Sequence, residues 1–132
     1  MIALDTNVVV RILTADDPPQ LEAARRAMRS VPLFLSKTVV LETEWVLRYS
    51  YALDRQQIGD ALRKLIRLRR MTVEDLPAVL EALSWHARGM DLADALHLAS
   101  SKPAGSLVTF DRDLAAAAEA LGCVPGVELL QS

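Results

Sequence analysis

Carboxylates set into apolar sequence are the feature of this 132-residue chain most able to do chemistry. Asp5 directly follows Ile2-Ala3-Leu4 and precedes Thr6-Asn7 and the apolar run Val8-Val9-Val10. Glu42 and Glu44 interrupt a run from Val39 through Leu47, and Asp94 lies within Leu92-Ala93-Asp94-Ala95-Leu96-His97-Leu98-Ala99, with Asp91 one helical turn earlier. Asp111 and Asp113 flank Arg112 after Val108-Thr109-Phe110.

Most of these acids have an ordinary explanation when taken singly. Asp is favoured at helix N-caps, which suits Asp5 and suits Asp91 after Gly89-Met90. A helix start also welcomes Asp111 and Asp113 through its orphan amides and its dipole. Asp94 is harder to account for, because a carboxylate in the middle of so apolar a helix is costly unless it is paired or metal-bound. Glu42 and Glu44 are two residues apart and point about 200° away from each other on a helix, so they cannot both face one site; periodicity does not choose between them.

Gathered in one place, the acids need a cation. Like charges about 5 Å apart repel by roughly 3 kcal/mol per pair at an effective dielectric near 20. With one cysteine and two histidines in the chain, no thiolate or imidazole cluster competes with oxygen donors. Oxygen donors favour a hard cation, Mg²⁺ or Mn²⁺, which keeps waters and accepts phosphate oxygens. The chemistry such a site serves best is phosphodiester hydrolysis: the cation orients a phosphate oxygen, acidifies water and stabilises charge on the leaving oxygen.

The elements that must carry these residues follow from the apolar pattern. Short runs at Ile2-Ala3-Leu4, Leu33-Phe34-Leu35, Leu107-Val108-Thr109 and Val127-Glu128-Leu129-Leu130 predict buried strands. The first three deliver Asp5, Ser36 and Asp111 at or just beyond their carboxyl ends. A helix is expected to start beside Asp5 at the Val8 run. Further helices are predicted over 18–29, from a Ser36 cap to 49, over 56–69 after the capping-box pattern at Asp54 and Gln57, over 77–88 before Gly89, over 91–101, and over 111–121 closed by Gly122. Strands separated by helices imply parallel pairing, hence a three-layer α/β/α sandwich with a small parallel central sheet. In such sheets ligands bind beyond the carboxyl ends of the strands, so Asp5 and Asp111 are expected at one rim.

Composition sets the outer bounds. The chain is 52% hydrophobic and 24% charged, which excludes a disordered or low-complexity protein, and its length suits one domain over residues 1–132. No apolar stretch approaches the ~20 residues of a membrane span, and the start of the chain lacks the basic segment of a signal peptide, so a soluble, cytoplasmic protein is expected. Net charge is −2, but residues 1–70 hold 12 basic and 8 acidic residues and residues 71–132 hold 3 and 9. That asymmetry reads as two surfaces of one domain. A weakly negative total does not exclude nucleic acid when four or five acids are assigned to a metal pocket.

Four segments occur in the order and approximate spacing of PIN-domain ribonucleases: Leu4-Asp5-Thr6-Asn7-Val8, Glu42 within Val40 to Leu47, Asp91-Leu92-Ala93-Asp94-Ala95-Leu96, and Val108-Thr109-Phe110-Asp111-Arg112-Asp113. The chain most resembles the small toxins of VapBC-type toxin–antitoxin pairs, over nearly its whole length. The resemblance implies an Mg²⁺- or Mn²⁺-dependent endoribonuclease, dimeric as a rule and inhibited by a cognate antitoxin protein. It assigns Asp5, Glu42, Asp94 and Asp111 as catalytic metal ligands, choosing Glu42 over Glu44 by its spacing to Leu47. Asp113, Thr6, Asn7 and Thr109 match supporting positions that orient ligands or water.

The remaining residues are less specific. Arg11, one turn after Asn7, is a candidate phosphate contact. Arg63, Lys64, Arg67 and Arg70, with Arg25, Arg26 and Arg29, read first as solvated helix faces and second as an RNA track. His97, one turn after Asp94, is more readily structural than a general base. Trp45, Tyr49 and Tyr51 are able to stack bases, although the spacing of Trp45 from Leu41 assigns it to the core, and Cys123 is expected to be buried. Two competing functions remain. One is a phosphatase-like domain with Asp5 as nucleophile, disfavoured by Asn7 where a second acid is wanted; the other is a non-catalytic module whose acidic pocket binds a cation or a basic partner peptide.

Overall fold

The computed structural model describes residues 1–131. The chain divides into two compact units, Met1–Leu76 and the stretch from Pro77 onward. The first unit contains 12 basic and 10 acidic residues, the second 3 and 7.

In the first unit the order is β1 (Ile2–Ala3), α1 (Thr6–Thr14), α2 (Pro18–Met28), β2 (Leu33–Leu35), α3 (Lys37–Tyr49), α4 (Arg55–Ile66) and β3 (Met71–Val73). The strands pair in the order β1-β2-β3, all parallel, with Ala3 opposite Phe34 and Phe34 opposite Thr72. Parallel pairing brings the carboxyl ends of β1 and β2 to one edge, so the two helices that follow them, α1 and α3, start at that edge. Local chemistry fixes those starts. Ser36 caps α3 by accepting from the Val39 amide at 3.3 Å. Asp54 and Gln57 form the expected reciprocal capping box on α4, with bonds of 2.8 and 2.9 Å. Helix α1 packs on α2 and α3, and α4 on α3 and β3. Val9, Val10, Leu35, Val40, Leu47, Ile58, Leu62 and Leu65 form an aliphatic core, as the scarcity of aromatics requires.

In the second unit α5 (Leu76–Ala87, starting at the last residue of the first unit), α6 (Leu92–Ala99), a 3₁₀ turn (Lys102–Ala104), β4 (Ser106–Thr109), α7 (Arg112–Leu121) and β5 (Gly126–Leu129) follow. β4 and β5 pair in parallel from Ser106–Gly126 to Thr109–Leu129, with α7 packed on both. Gly122 ends α7 at φ +66°, a left-handed conformation that disfavours residues with a Cβ. The fold is thus mixed α/β, with small parallel sheets and seven α-helices among the described residues.

Several local expectations are corrected. The parallel strands pair as a three-stranded and a two-stranded sheet. β3 was not foreseen, because Met71-Thr72-Val73 lies against a basic run that resembles a continuing helix. α4 instead stops at Ile66, and Arg70 at φ +64° turns the chain into the strand. Only Arg63 and Lys64 of that basic group therefore lie on the helix. β4 is not a buried strand: Val108 is 54% exposed. Asp94 lies in the first turn of α6, which starts at Leu92, and not mid-helix. Cys123 is half-buried, with burial pushing its thiol pKa up.

Candidate functional site

The first unit brings Asp5 and Glu42 together through one residue. Asp5 leaves β1 in extended conformation and its Oδ1 accepts from the Thr6 amide at 2.8 Å. That bond is to the first helical residue, whereas a capping side chain usually takes the amides of the second or third. The Thr6 hydroxyl, one residue on, donates to Glu42 Oε1 at 2.8 Å. Both carboxylates are exposed. Asp5, Thr6 and Asn7 line a cleft of about 370 Å³ together with Arg11, Val46 and Ser50.

The choice between Glu42 and Glu44 is explained by which face of α3 is buried. Val40, Thr43, Glu44 and Leu47 face inward. Glu44 is 3% exposed and binds Arg48 through two contacts, Nε to Oε2 at 2.8 Å and Nη2 to Oε1 at 3.1 Å. Glu44 therefore neutralises an arginine one turn away, and Glu42 is the acid on the open face.

The second unit carries Asp91, Asp94, Asp111 and Asp113. Asp91 caps α6 by accepting from the Asp94 amide at 3.2 Å, as expected. Asp111 caps α7, its Oδ1 accepting from the amides of Asp113 at 2.9 Å and Leu114 at 3.1 Å. Thr109 Oγ1 in turn accepts from the Asp111 amide at 3.0 Å, fixing the turn that carries this acid. Asp94 is half-buried, and its pKa is raised, first by burial and then by the charges of Asp91 and Asp111; His97 opposes the shift and Asp113 adds to it. The first turn of a helix ordinarily favours a carboxylate, so burial and like charge outweigh the dipole here. His97 is exposed on the same helix.

Arg11 is held in a network that the sequence did not reveal. Its Nη1 donates to Tyr51 Oη at 3.0 Å and Asp16 Oδ1 at 3.2 Å, and its Nε to Gln20 at 2.6 Å. Tyr51 donates to Asp16 Oδ2 at 2.6 Å and Thr14 to Oδ1 at 2.7 Å. The Tyr51 and Thr14 hydroxyls hold the Asp16 pKa down, and the Tyr51 hydrogen bond first, then Asp16, raises that of Arg11. The partners lie on a loop, a different helix and the second residue after α3, so no periodicity links them. Trp45 corrects a second expectation: it is 56% exposed, not core.

Among the described residues, no three His, Cys, Asp or Glu side chains converge closely enough to form a metal cage. Mg²⁺ does not require one, since it is commonly held by one or two carboxylates with water and substrate oxygens completing the shell. The all-carboxylate donor set in each unit suits such a cation.

The family described as PIN domain matches residues 2–120. The chain belongs to the PIN-domain family. PIN domains are generally nucleases, so this PIN domain has a nuclease-type fold and nucleic acid is the partner class it points to. No curated protein matches the chain. No helix among its described residues is long and apolar enough to cross a membrane.

Proposed function

We infer that this PIN domain is a metal-dependent endoribonuclease, and that it acts as the toxin of a VapBC-type pair, a homodimer restrained by a cognate antitoxin. Asp5, Glu42, Asp94 and Asp111 are the residues we assign to Mg²⁺ or Mn²⁺. The observation that carries the reading is the place of Asp94: a half-buried carboxylate in the first turn of α6, under like charge from Asp91 and Asp111, has a reason to persist if a cation is its partner.

The chain's own residues then have distinct tasks. Thr6 holds Glu42 by its hydroxyl and Asp5 by its amide, setting the two acids of the first unit relative to each other. Thr109 and the α7 amides do the same for Asp111, and Asp113 adds negative charge beside it. When bound, the divalent cation supplies charge for the phosphate and leaving oxygen and lowers the pKa of attacking water. Arg11, positioned by Asp16, offers a guanidinium at the cleft for a neighbouring phosphate. An antitoxin that inserts Arg or Lys among the carboxylates would displace the cation and silence the site.

Incubating the purified protein with RNA in Mg²⁺, in Mn²⁺ and in chelator tests this reading, with Asp5→Asn and Asp94→Asn alongside. Cation-dependent cleavage lost in both variants is expected. Cleavage that survives chelation, or that both variants retain, refutes it. Co-purification with the product of an adjacent reading frame tests the toxin assignment separately.

A further inference from the structure

The exposed residues of α3 fall on one stripe: Thr38, Glu42, Trp45 and Tyr49, spaced by four, three and four. The last two are large aromatics. Trp45 is 56% and Tyr49 66% exposed. Their rings meet edge to face, with centroids 5.2 Å apart at 69°. The Arg48 guanidinium sits 4.6 Å from the Tyr49 ring centroid, and buried Glu44 grips that same guanidinium by two contacts. A chain of fixed groups, Glu44 to Arg48 to Tyr49 to Trp45, thus orders two aromatic faces before any ligand arrives, which lowers the entropy lost on binding.

The position of this platform narrows its use. Val46 and Ser50, the residues after Trp45 and Tyr49, line the cleft that contains Asp5 and Thr6. Glu42 lies one turn before Trp45 on the same stripe, so the aromatic rings stand on the helix that also gives Val46 and Ser50 to that cleft. Exposed aromatic rings held in place are suited to stacking on unpaired nucleobases, each of which presents a π-face. We propose that Trp45 and Tyr49, braced by Arg48, form a stacking subsite for a nucleobase of single-stranded RNA flanking the bond held at the acidic cleft. This rests on the nuclease reading for the identity of its ligand, but it concerns binding and not bond cleavage.

Tryptophan fluorescence of the full chain, in chelator so that no RNA is cut, is the test. The chain has two tryptophans, and Trp85 is 7% exposed, so quenching by an added ligand reports Trp45. A short oligoribonucleotide should quench the emission, whereas an abasic strand of equal length and charge should not. Trp45→Ala, followed by fluorescence anisotropy of a labelled oligonucleotide, should weaken binding roughly 5- to 150-fold, matching the 1–3 kcal/mol of one base stack. Tyr49→Phe should retain affinity and Tyr49→Ala lose it. Equal quenching by the abasic strand, or unchanged affinity in Trp45→Ala, overturns the subsite. If Trp45→Ala instead breaks a dimer in sedimentation while RNA affinity is unchanged, the face belongs to a second copy and the subsite is again refuted. Base-dependent quenching without cleavage in Mg²⁺ overturns the nuclease reading alone, and cleavage without base-dependent quenching overturns the subsite alone.

Discussion

In the first unit, Asp5 and Glu42 each receive a hydrogen bond from Thr6, and the neighbouring acids are matched as well: Glu44 by Arg48 and Asp16 by Arg11, Thr14 and Tyr51. In the second, Asp94 is pressed by burial and by Asp91, Asp111 and Asp113, with one histidine in opposition. The contrast separates two reasons for a carboxylate. Acids of the first unit are explained by local donors, so their presence alone says little about catalysis. Asp94 sits half-buried under like charge with its pKa raised, and such a residue is best explained by what it binds.

The contrast can be broken by experiment. The largest effect expected is on activity: chelation, or Asp94→Asn, should lower RNA cleavage by at least about 10²-fold in a gel assay, because a lost cation forfeits several kcal/mol of transition-state stabilisation. Next, Thr6→Val should cut activity about 10- to 100-fold, since it releases Glu42 without removing an acid. Glu44→Gln should do the opposite, lowering stability by roughly 2 kcal/mol in denaturant melts while cleavage at permissive temperature persists; a half-exposed arginine partner keeps the loss below that of a fully buried pair.

Two smaller effects concern pH and charge. The folded-state pKa of Asp94 is raised, so its ionisation opposes folding as pH rises above the ordinary Asp value. Asp94→Asn should therefore give a slightly higher Tm than wild type at neutral pH in chelator, and added Mg²⁺ should raise the Tm of wild type more. Asp16 has the opposite sign: its pKa is lowered, so the stability it contributes is present above the ordinary Asp value and fades as pH falls through the lowered one. Tyr51→Phe should move the Asp16 titration upward, seen by carboxyl NMR.

Sequence reasoning reached those parts of the molecule governed by local rules. Ser36, the Asp54–Gln57 box, Gly122 and the Asp91 cap act within three or four residues, and each is where its pattern indicated. β3 escaped because three residues beside an arginine run carry no periodicity. Trp45 escaped because helical spacing cannot tell which of two apolar stripes finds a partner; the stripe with Val40, Thr43, Glu44 and Leu47 did. The Arg11–Asp16–Tyr51 network spans 40 residues and leaves no local trace. For the site, the sequence supplied the acid types and order, and the Thr6–Glu42 bond adds which glutamate faces Asp5's loop.

The decisive measurement is end-mapped cleavage of total cellular RNA by the wild-type protein in Mg²⁺, beside Asp5→Asn. Discrete cuts with 5′-phosphate and 3′-hydroxyl ends are expected, absent in chelator and in the variant. Ends bearing 2′,3′-cyclic phosphate, or an identical cut pattern from Asp5→Asn, would contradict it.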